Sequence, residues 1–405
     1  MRSDPSRMNS SRPTAPRRPR LASALLPACL LWLLWPCLGV AAQWQFQGLL
    51  QGDHTAFDSG AEGLRDDSEL RRAEMVLKGS RGRWDWTAGY DLASRNDKWL
   101  DLNLRLKLIG ERSSQATSGS GEGQLTLGQF KHYLGMEELT SRRHNDFIAK
   151  AMATSTFAIG RRLGAGATWS SGPWSLAGSG FGRELGSGGA RGGGYSLRGV
   201  WAPVQGDGHI VHLGLSGLHR ATDDDSVRLR ARTGFEPASV PRLVDTGTFT
   251  AVDRIRTLGL EAAWVTGPVK FQGEYLDSSL RRRHQASDPD VAPGRDFNAH
   301  GWYLSGIWNL TGEPWRYRNG VFSPGQAGDA GNDAGRWQLA ARIEGLDLDD
   351  GGSVGGHARV LTVGGNWYWR EHLKLSLNHV RADVRRPDRN GQSPRALVAR
   401  LQMHW

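Results

Sequence analysis

From Leu100 to Leu108 five leucines alternate without a break with Asp101, Asn103, Arg105 and Lys107. Side chains of a strand point alternately to opposite faces, so this stretch reads as a strand with one apolar face and one wholly polar face. A helix would scatter the leucines around its axis. The same period recurs at 44–56, 68–79, 84–94, 98–109, 125–133, 163–171, 174–182, 194–203 and 209–220, then at 257–265, 269–281, 298–310, 335–348, 357–369, 373–386 and 395–405. Short Gly/Pro turns alternate with longer polar loops between these segments. The pattern predicts an all-β chain, a transmembrane antiparallel β-barrel of about 16 strands with its apolar rows turned to lipid. The end, Leu397, Ala399, Leu401, Met403 and Trp405, fits a closing outer-membrane strand.

Two interruptions stand out. Alternation stops from Leu134 to Arg162, and a gap of that length in a compact domain is usually functional. In a barrel its natural place is folded inward, as a third external loop, with a helical turn expected from Asn145 to Met152. The second is a long polar connection, 221–256, with Arg228, Arg230 and Arg232 at every second position.

Residues 1–42 carry six arginines, then an apolar run from Leu21 and the exit Val40-Ala41-Ala42, the build of a cleaved secretory signal peptide. The barrel domain is then 43–405. Both cysteines, Cys29 and Cys37, fall in the leader, so the mature chain offers no disulfide or thiolate chemistry. The 51 basic and 41 acidic residues become 45 and 40 once the leader's six arginines and Asp4 are removed. The remaining excess is too small to argue for a nucleic-acid partner. Only 38% of the chain is hydrophobic, and no later run is long enough for a membrane helix.

With the leucines to lipid, Arg72, Glu74, Lys78, Asp101, Asn103, Arg105, Lys107, Arg198, Arg342 and Arg400 face the lumen. Barrels of this size enclose water, and rings of Arg and Lys select anions by offering several weak sites in series. The inward loop adds Ser141, Arg142, Arg143 and the pair Arg161-Arg162.

The runs Leu127-Gly128-Gln129-Phe130-Lys131 and Gly135-Met136-Glu137-Glu138-Leu139-Thr140-Ser141 resemble the phosphate-selective porins O and P of Gram-negative bacteria. So do Tyr195 to Pro203, Val211 to Leu215, Leu310 to Pro314, Gly365 to Tyr368 and Leu397 to Gln402, so the resemblance spans 43–405. It implies a homotrimer of sixteen-stranded barrels in the outer membrane, conducting phosphate or polyphosphate through an arginine-lined channel. It maps the family's anion site onto Arg71, Arg72, Asp101, Ser141, Arg142, Arg228, Arg230 and Arg232. Arg105, Lys107, Arg198 and Arg342 are further lumen residues by strand parity. Arg142 replaces a family lysine, Asp85 stands near another, and the family's lysine cluster is sparse here.

Conduction needs no bond to be made, no cofactor and no metal. Phosphate exchanges water for charge-assisted hydrogen bonds from Arg71, Arg72, Arg142 and Ser141, while Asp101 orients an arginine or weakens binding for release. Arg71 and Arg72 are adjacent, so one of them is expected at a bulge or at the rim. The alternatives are a general anion porin, a structural barrel whose arginines meet lipopolysaccharide phosphates, and a barrel enzyme. Against the enzyme, His209 and His212 face opposite ways and no His-Glu-x-x-His or Gly-x-Ser-x-Gly motif occurs. A calcium site at Asp223 to Asp225 is weaker than the reading of a solvated loop.

Overall fold

The computed structural model describes residues 42–58, 63–94, 98–109, 121–186, 191–206, 208–222, 226–237, 239–283, 296–325, 335–351, 353–370, 372–386 and 389–405. The expected signal peptide and the Asp223 to Asp225 run lie outside them, apart from Ala42.

Sixteen strands form the wall. They are β1 Gln43–Phe57, β2 Asp67–Arg81, β3 Trp84–Asp91, β4 Trp99–Ile109, β5 Glu122–Lys131, β6 Arg161–Ser171, β7 Trp174–Phe181 and β8 Gly194–Gly206. There follow β9 His209–Ala221, β10 Val252–Thr266, β11 Val269–Arg282, β12 Phe297–Asn309, β13 Arg336–Asp350, β14 Ser353–Trp369, β15 Leu373–Arg386 and β16 Arg395–His404. Each pairs antiparallel with the next, and β1 closes on β16 from Leu49 opposite His404 to Phe57 opposite Ala396. Closure leaves no unpaired edge, which lipid could not solvate.

Burial is inverted relative to a water-soluble sheet. Leu258, Leu260 and Trp264 on β10 are exposed, whereas Thr257, Glu261 and Ala263 between them are buried. The outer surface is apolar and the polar side chains are inside, as a barrel in lipid requires. The two-residue connections at 82–83, 172–173 and 267–268 share a rim with the start of β1 and the end of β16. Exposed Trp44, Trp84, Trp169, Trp174, Trp264, Trp308, Trp337, Trp369 and Trp405 mark that rim, which is the periplasmic one.

Two local slips in the alternation matter. Leu70 and Met75 of β2 are both exposed although their numbers differ in parity, so the pattern shifts by one residue between them. That shift turns both Arg71 and Arg72 inward, answering the difficulty of adjacent arginines with a wall irregularity. On β4 the register shifts opposite Ala88 and Tyr90, and Leu100 is turned in and only 4% exposed. The expectation that all five leucines face lipid fails at Leu100.

Inside, the 132–160 connection, here loop 3, lies within the barrel, as the break in alternation implies. Its helices are α1 Met136–Leu139 and α2 Met152–Phe157, with a 3₁₀ turn at Arg142–His144. The expected turn from Asn145 to Met152 is therefore misplaced: 145–151 is non-helical, bends at 146–149 and bonds to the wall, and the helix begins where that segment ends. The 222–251 connection, loop 5, is amphipathic rather than simply polar. Arg228 and Arg230 are exposed, while Leu229, Ala231, Phe235, Val240, Leu243 and Phe249 are buried. These pack with Ile148, Met152 and Phe157 of loop 3 on inward-facing Val360, Val380, Ala382, Val384, Ala396 and Val398. The inner face of β14–β16 is thus apolar toward the external side, against the expectation of a polar lumen throughout.

A second insertion comes from the periplasmic side. Trp315–Arg318 and Val321–Pro324 pair as a hairpin around Asn319 and Gly320, both with positive φ (50° and 75°). An Asn-Gly pair supplies that two-residue turn without strain. The hairpin leans into the lumen: Tyr317 Oη meets His212 Nδ1 at 2.7 Å, and Arg198 donates to the Gly320 carbonyl at 2.8 Å. Lys270 stands 3.9 Å over the Trp315 ring.

Candidate functional site

Loop 3 is fixed by wall side chains that satisfy its free backbone groups. The first N–H groups of a helix have no partner within it, and Glu274 on β11 accepts those of Met136 (2.9 Å) and Glu137 (2.6 Å). Gly135 permits that approach: a Cβ there would lie 2.5 Å from Glu274 Oε2. Glu344 on β13 accepts from Met152 N (2.6 Å), and Asn378 on β15 accepts from Ile148 N (2.9 Å). Lys270 pairs with Asp146 at 2.8 Å, and Lys374 donates to the Asn145 carbonyl at 2.6 Å. All these anchors stand on β11–β15, so the loop is drawn to that side and the open passage runs against β2–β8.

The passage is a cavity of about 940 Å³ reaching from loop 3 to the periplasmic hairpin. Nine basic side chains line it, Lys78, Arg105, Lys107, Lys131, Arg142, Arg143, Arg161, Arg198 and Arg318, against four acidic ones, Glu74, Asp85, Asp101 and Glu122. A surplus of this kind in a narrow, low-dielectric frame gives a positive interior potential.

The expected site residues divide by whether a carboxylate already holds them. Asp101 accepts two hydrogen bonds from Arg161, from Nε at 3.0 Å and Nη2 at 2.8 Å. Arg142 donates to Glu74 at 2.8 Å, and Arg72 lies 3.6 Å from the same oxygen and 3.8 Å from Asp91. Arg71 is ion-paired with Glu236 of loop 5. Ser141 is exposed and lines the passage beside Arg142. Arg228 is committed to Asp245 at 2.6 Å, Arg230 has no ion pair among the described residues, and Arg232 is half-buried near Glu236.

Of the lumen residues, Lys107 pairs with Asp85 at 2.7 Å and Arg198 with Glu261 at 2.6 Å. Arg342 points inward as strand parity requires but is 2% exposed. Loop 3 covers it between Glu344, Glu137 and the Phe147 ring, so it is an anchor under the loop and not part of the passage.

Three passage cations have no carboxylate of their own among the described residues. Arg105 bonds to Asn103 and Thr87, Arg143 to the Gly48 carbonyl, and Lys78 stands near both arginines. Arg105 was legible from the alternation. Lys78 and Arg143 were visible as inward or loop positions, but their lack of a carboxylate partner among the described residues is a property of packing.

Two loop carboxylates are held ionised, Glu138 and Glu236. Burial alone would raise Glu138, but Lys150 and Lys131 outweigh it and hold it at about 2. Glu236 is likewise buried, and Arg71, Arg400 and Arg72 bring it to about 2. Burial, with Arg232 and Arg230 close by, lowers Arg242 of loop 5 to about 10. Arg242 thus belongs to the external arginine group, although nothing in the spacing of loop 5 marked it.

The family model described as "Phosphate-selective porin O and P" matches residues 44–405. An uncharacterized protein of Caulobacter vibrioides is 30% identical over 348 residues, 81% of this chain and 66% of that one. The chain therefore spans slightly less than two thirds of that relative. Porin O of Pseudomonas aeruginosa is 25% identical over 370 residues, 83% of this chain and 82% of that one. Among solved structures, the in-vitro folded trimer form of OmpT, an outer membrane protein of Vibrio cholerae, superposes with a TM-score of 0.55. That match covers 90% of this chain and all of that one at 8% identity, a likeness of fold alone.

Proposed function

The chain belongs to the phosphate-selective porin O and P family, and from that premise we propose that it is a passive outer-membrane channel taking up phosphate and polyphosphate. The observation that carries this is the passage lining among the described residues: nine cations against four acids, with Lys78, Arg105 and Arg143 in no ion pair with a carboxylate there. An anion arriving from outside meets the loop 5 and β2 arginines first. It then passes Ser141 and Arg142 and comes to rest among Lys78, Arg105 and Arg143, exchanging water for charge-assisted donors. Release toward the periplasm follows because no single site is closed around it, and Lys107 and Arg318, both already paired, offer only weak onward attraction.

This reading moves the resting site. Arg71, Arg72 and Arg142 already spend donors on Glu236 and Glu74, so they steer and shape the entrance, while Lys78, Arg105 and Arg143, whose charge no carboxylate pairs among the described residues, bind. Asp101 orients Arg161 and opposes over-tight binding. Each protomer of a homotrimer would carry its own passage. Transport makes and breaks no covalent bond, so the protein is a conduit and not an enzyme. Planar-bilayer recording tests the proposal: an anion-selective reversal potential is expected, with chloride current blocked by added phosphate. A cation-selective pore refutes it, and anion selectivity without phosphate block reduces it to a general anion porin.

A further inference from the structure

On the outer wall the seven adjacent strands β4–β10 share an unusual surface. Outward positions of β8, β9 and β10 fall in register as rows. Tyr195, His219 and Arg256 form the row nearest the external rim, and Leu197, Gly217 and Leu258 form the next. Leu197 also faces Gly178 of β7, and Gly199 faces both Leu176 and Leu215. Leucines therefore surround positions that carry no side chain. The result is a groove of about 720 Å³, almost entirely apolar, from Leu258 and Gly217 down to Trp169 and Leu108. Six residues of β8 separate Tyr195 from Trp201, about 20 Å of strand. That is enough to hold an extended chain across one leaflet, roughly half of a ~30 Å hydrocarbon core.

At its external end the groove meets Arg256, exposed on the lipid-facing side of β10, whose charge no acid pairs among the described residues. His219 stacks on Tyr195 with ring centroids 5.1 Å apart, and its buried Nδ1 has no hydrogen-bond partner among them. Asp277 lies one row lower on β11, opposite Leu258. An unpartnered arginine at the top of an apolar band is costly unless the membrane supplies the counter-charge.

We propose that this surface is a lipid site: an acyl chain of an outer-leaflet lipid fills the groove, and the lipid's phosphate monoester sits on Arg256 and His219. The apolar groove and the cationic row together specify a phosphorylated headgroup above a hydrocarbon chain. Free phosphate is excluded as the occupant because the residues face away from the water-filled passage. The site stands apart from the channel reading, and either can fail without the other.

Binding of lipid A to the purified full-length protein in detergent, followed by native mass spectrometry, tests this, with phosphorylated and dephosphorylated lipid A compared. The wild type should prefer the phosphorylated form. An Arg256→Ala/His219→Ala variant should bind it at least roughly tenfold more weakly, because both groups that hold the phosphate are lost, with no change for the dephosphorylated form. Gly199→Leu, which fills the groove, should weaken both. Chloride conductance should be unchanged in all variants, showing that each barrel is folded. The proposal is overturned if the double variant keeps wild-type preference, if the wild type shows none, or if Gly199→Leu alters self-association while leaving lipid binding intact.

Discussion

Replacing Asp101 by Asn neutralises an acid of the passage lining while leaving an oxygen for Arg161. In the wild type, the Arg161 guanidinium is spent on that carboxylate through contacts of 2.8 and 3.0 Å. Neutralising it removes a repulsion and frees a cation at once. For a charge ~7 Å from the anion, the lost repulsion is about 0.6 kcal/mol per unit of anion charge with water-like screening, and about 2.4 kcal/mol at an effective dielectric of ~20. Phosphate should therefore bind roughly threefold to sixtyfold more tightly, since 1.4 kcal/mol is tenfold. The assay is the phosphate concentration that halves single-channel chloride current, with the lifetime of each block as a second readout. The halving concentration should fall and the blocks lengthen. If the concentration stays within twofold of wild type, or rises, Asp101 does not face the bound anion.

Four further outcomes follow from the same geometry. Lys78→Ala and Arg105→Ala should each cut low-salt chloride conductance severalfold and weaken phosphate block. Lys107→Ala, whose charge Asp85 already balances at 2.7 Å, should do less; equal effects would contradict the distinction between free and paired cations. Glu274→Ala removes the acceptor for the Met136 and Glu137 amides, leaving two N–H donors without their partner at a cost of about 1–3 kcal/mol each. Loop 3 should then show frequent brief closures in the current trace, and a quiet trace would argue that the loop is held elsewhere. Glu138 is depressed from 4.5 to about 2, so the stability it lends is complete above pH ~4.5 and is lost as pH falls toward ~2. Loop-dependent current noise should rise across that window, and Glu138→Gln should be noisy at neutral pH and show no such transition. Arg318→Ala breaks an ion pair with Glu122 in which both side chains are at least half exposed. It should leave thermal stability within about 1 kcal/mol, as solvent-screened pairs contribute little, and, because Glu122 already balances the charge, lower chloride conductance less than Lys78→Ala does.

The wall was legible because its rule is local: period two, apolar out, polar in, repeated at every segment from β1 to β16. Even the inward course of 132–160 could be read, as a loss of that period. What escaped depends on contacts distant in sequence. The interior plug needs Leu229 and Phe235 to meet Val380 and Val398, and no window around loop 5 contains that information. The periplasmic hairpin did leave a signal, Asn319-Gly320 flanked by Tyr317 and Phe322, but it lay between two stronger strand patterns. The site residues by parity were right about direction and silent about company: Arg342 and Arg105 both point inward, and only packing decides that one is covered and the other open. Arg71 and Arg72 show the converse, a contradiction in the sequence that a one-residue slip resolves.

Arg400 has a bearing on how such a barrel comes to exist at all. On β16 it holds Asp53 of β1 through two contacts of 2.6 Å, and its third nitrogen donates to the Ile148 carbonyl of loop 3 at 2.9 Å. The seam between the first and last strands and the seating of the interior loop therefore share one side chain. A nascent barrel with loop 3 still outside cannot complete that set of bonds, so zipping the last strand checks that the interior is already loaded. Assembly and quality control become the same step, and Arg400→Ala barrels should reach their heat-modifiable, SDS-resistant form more slowly than wild type while their loop anchors on β11 and β13 remain intact.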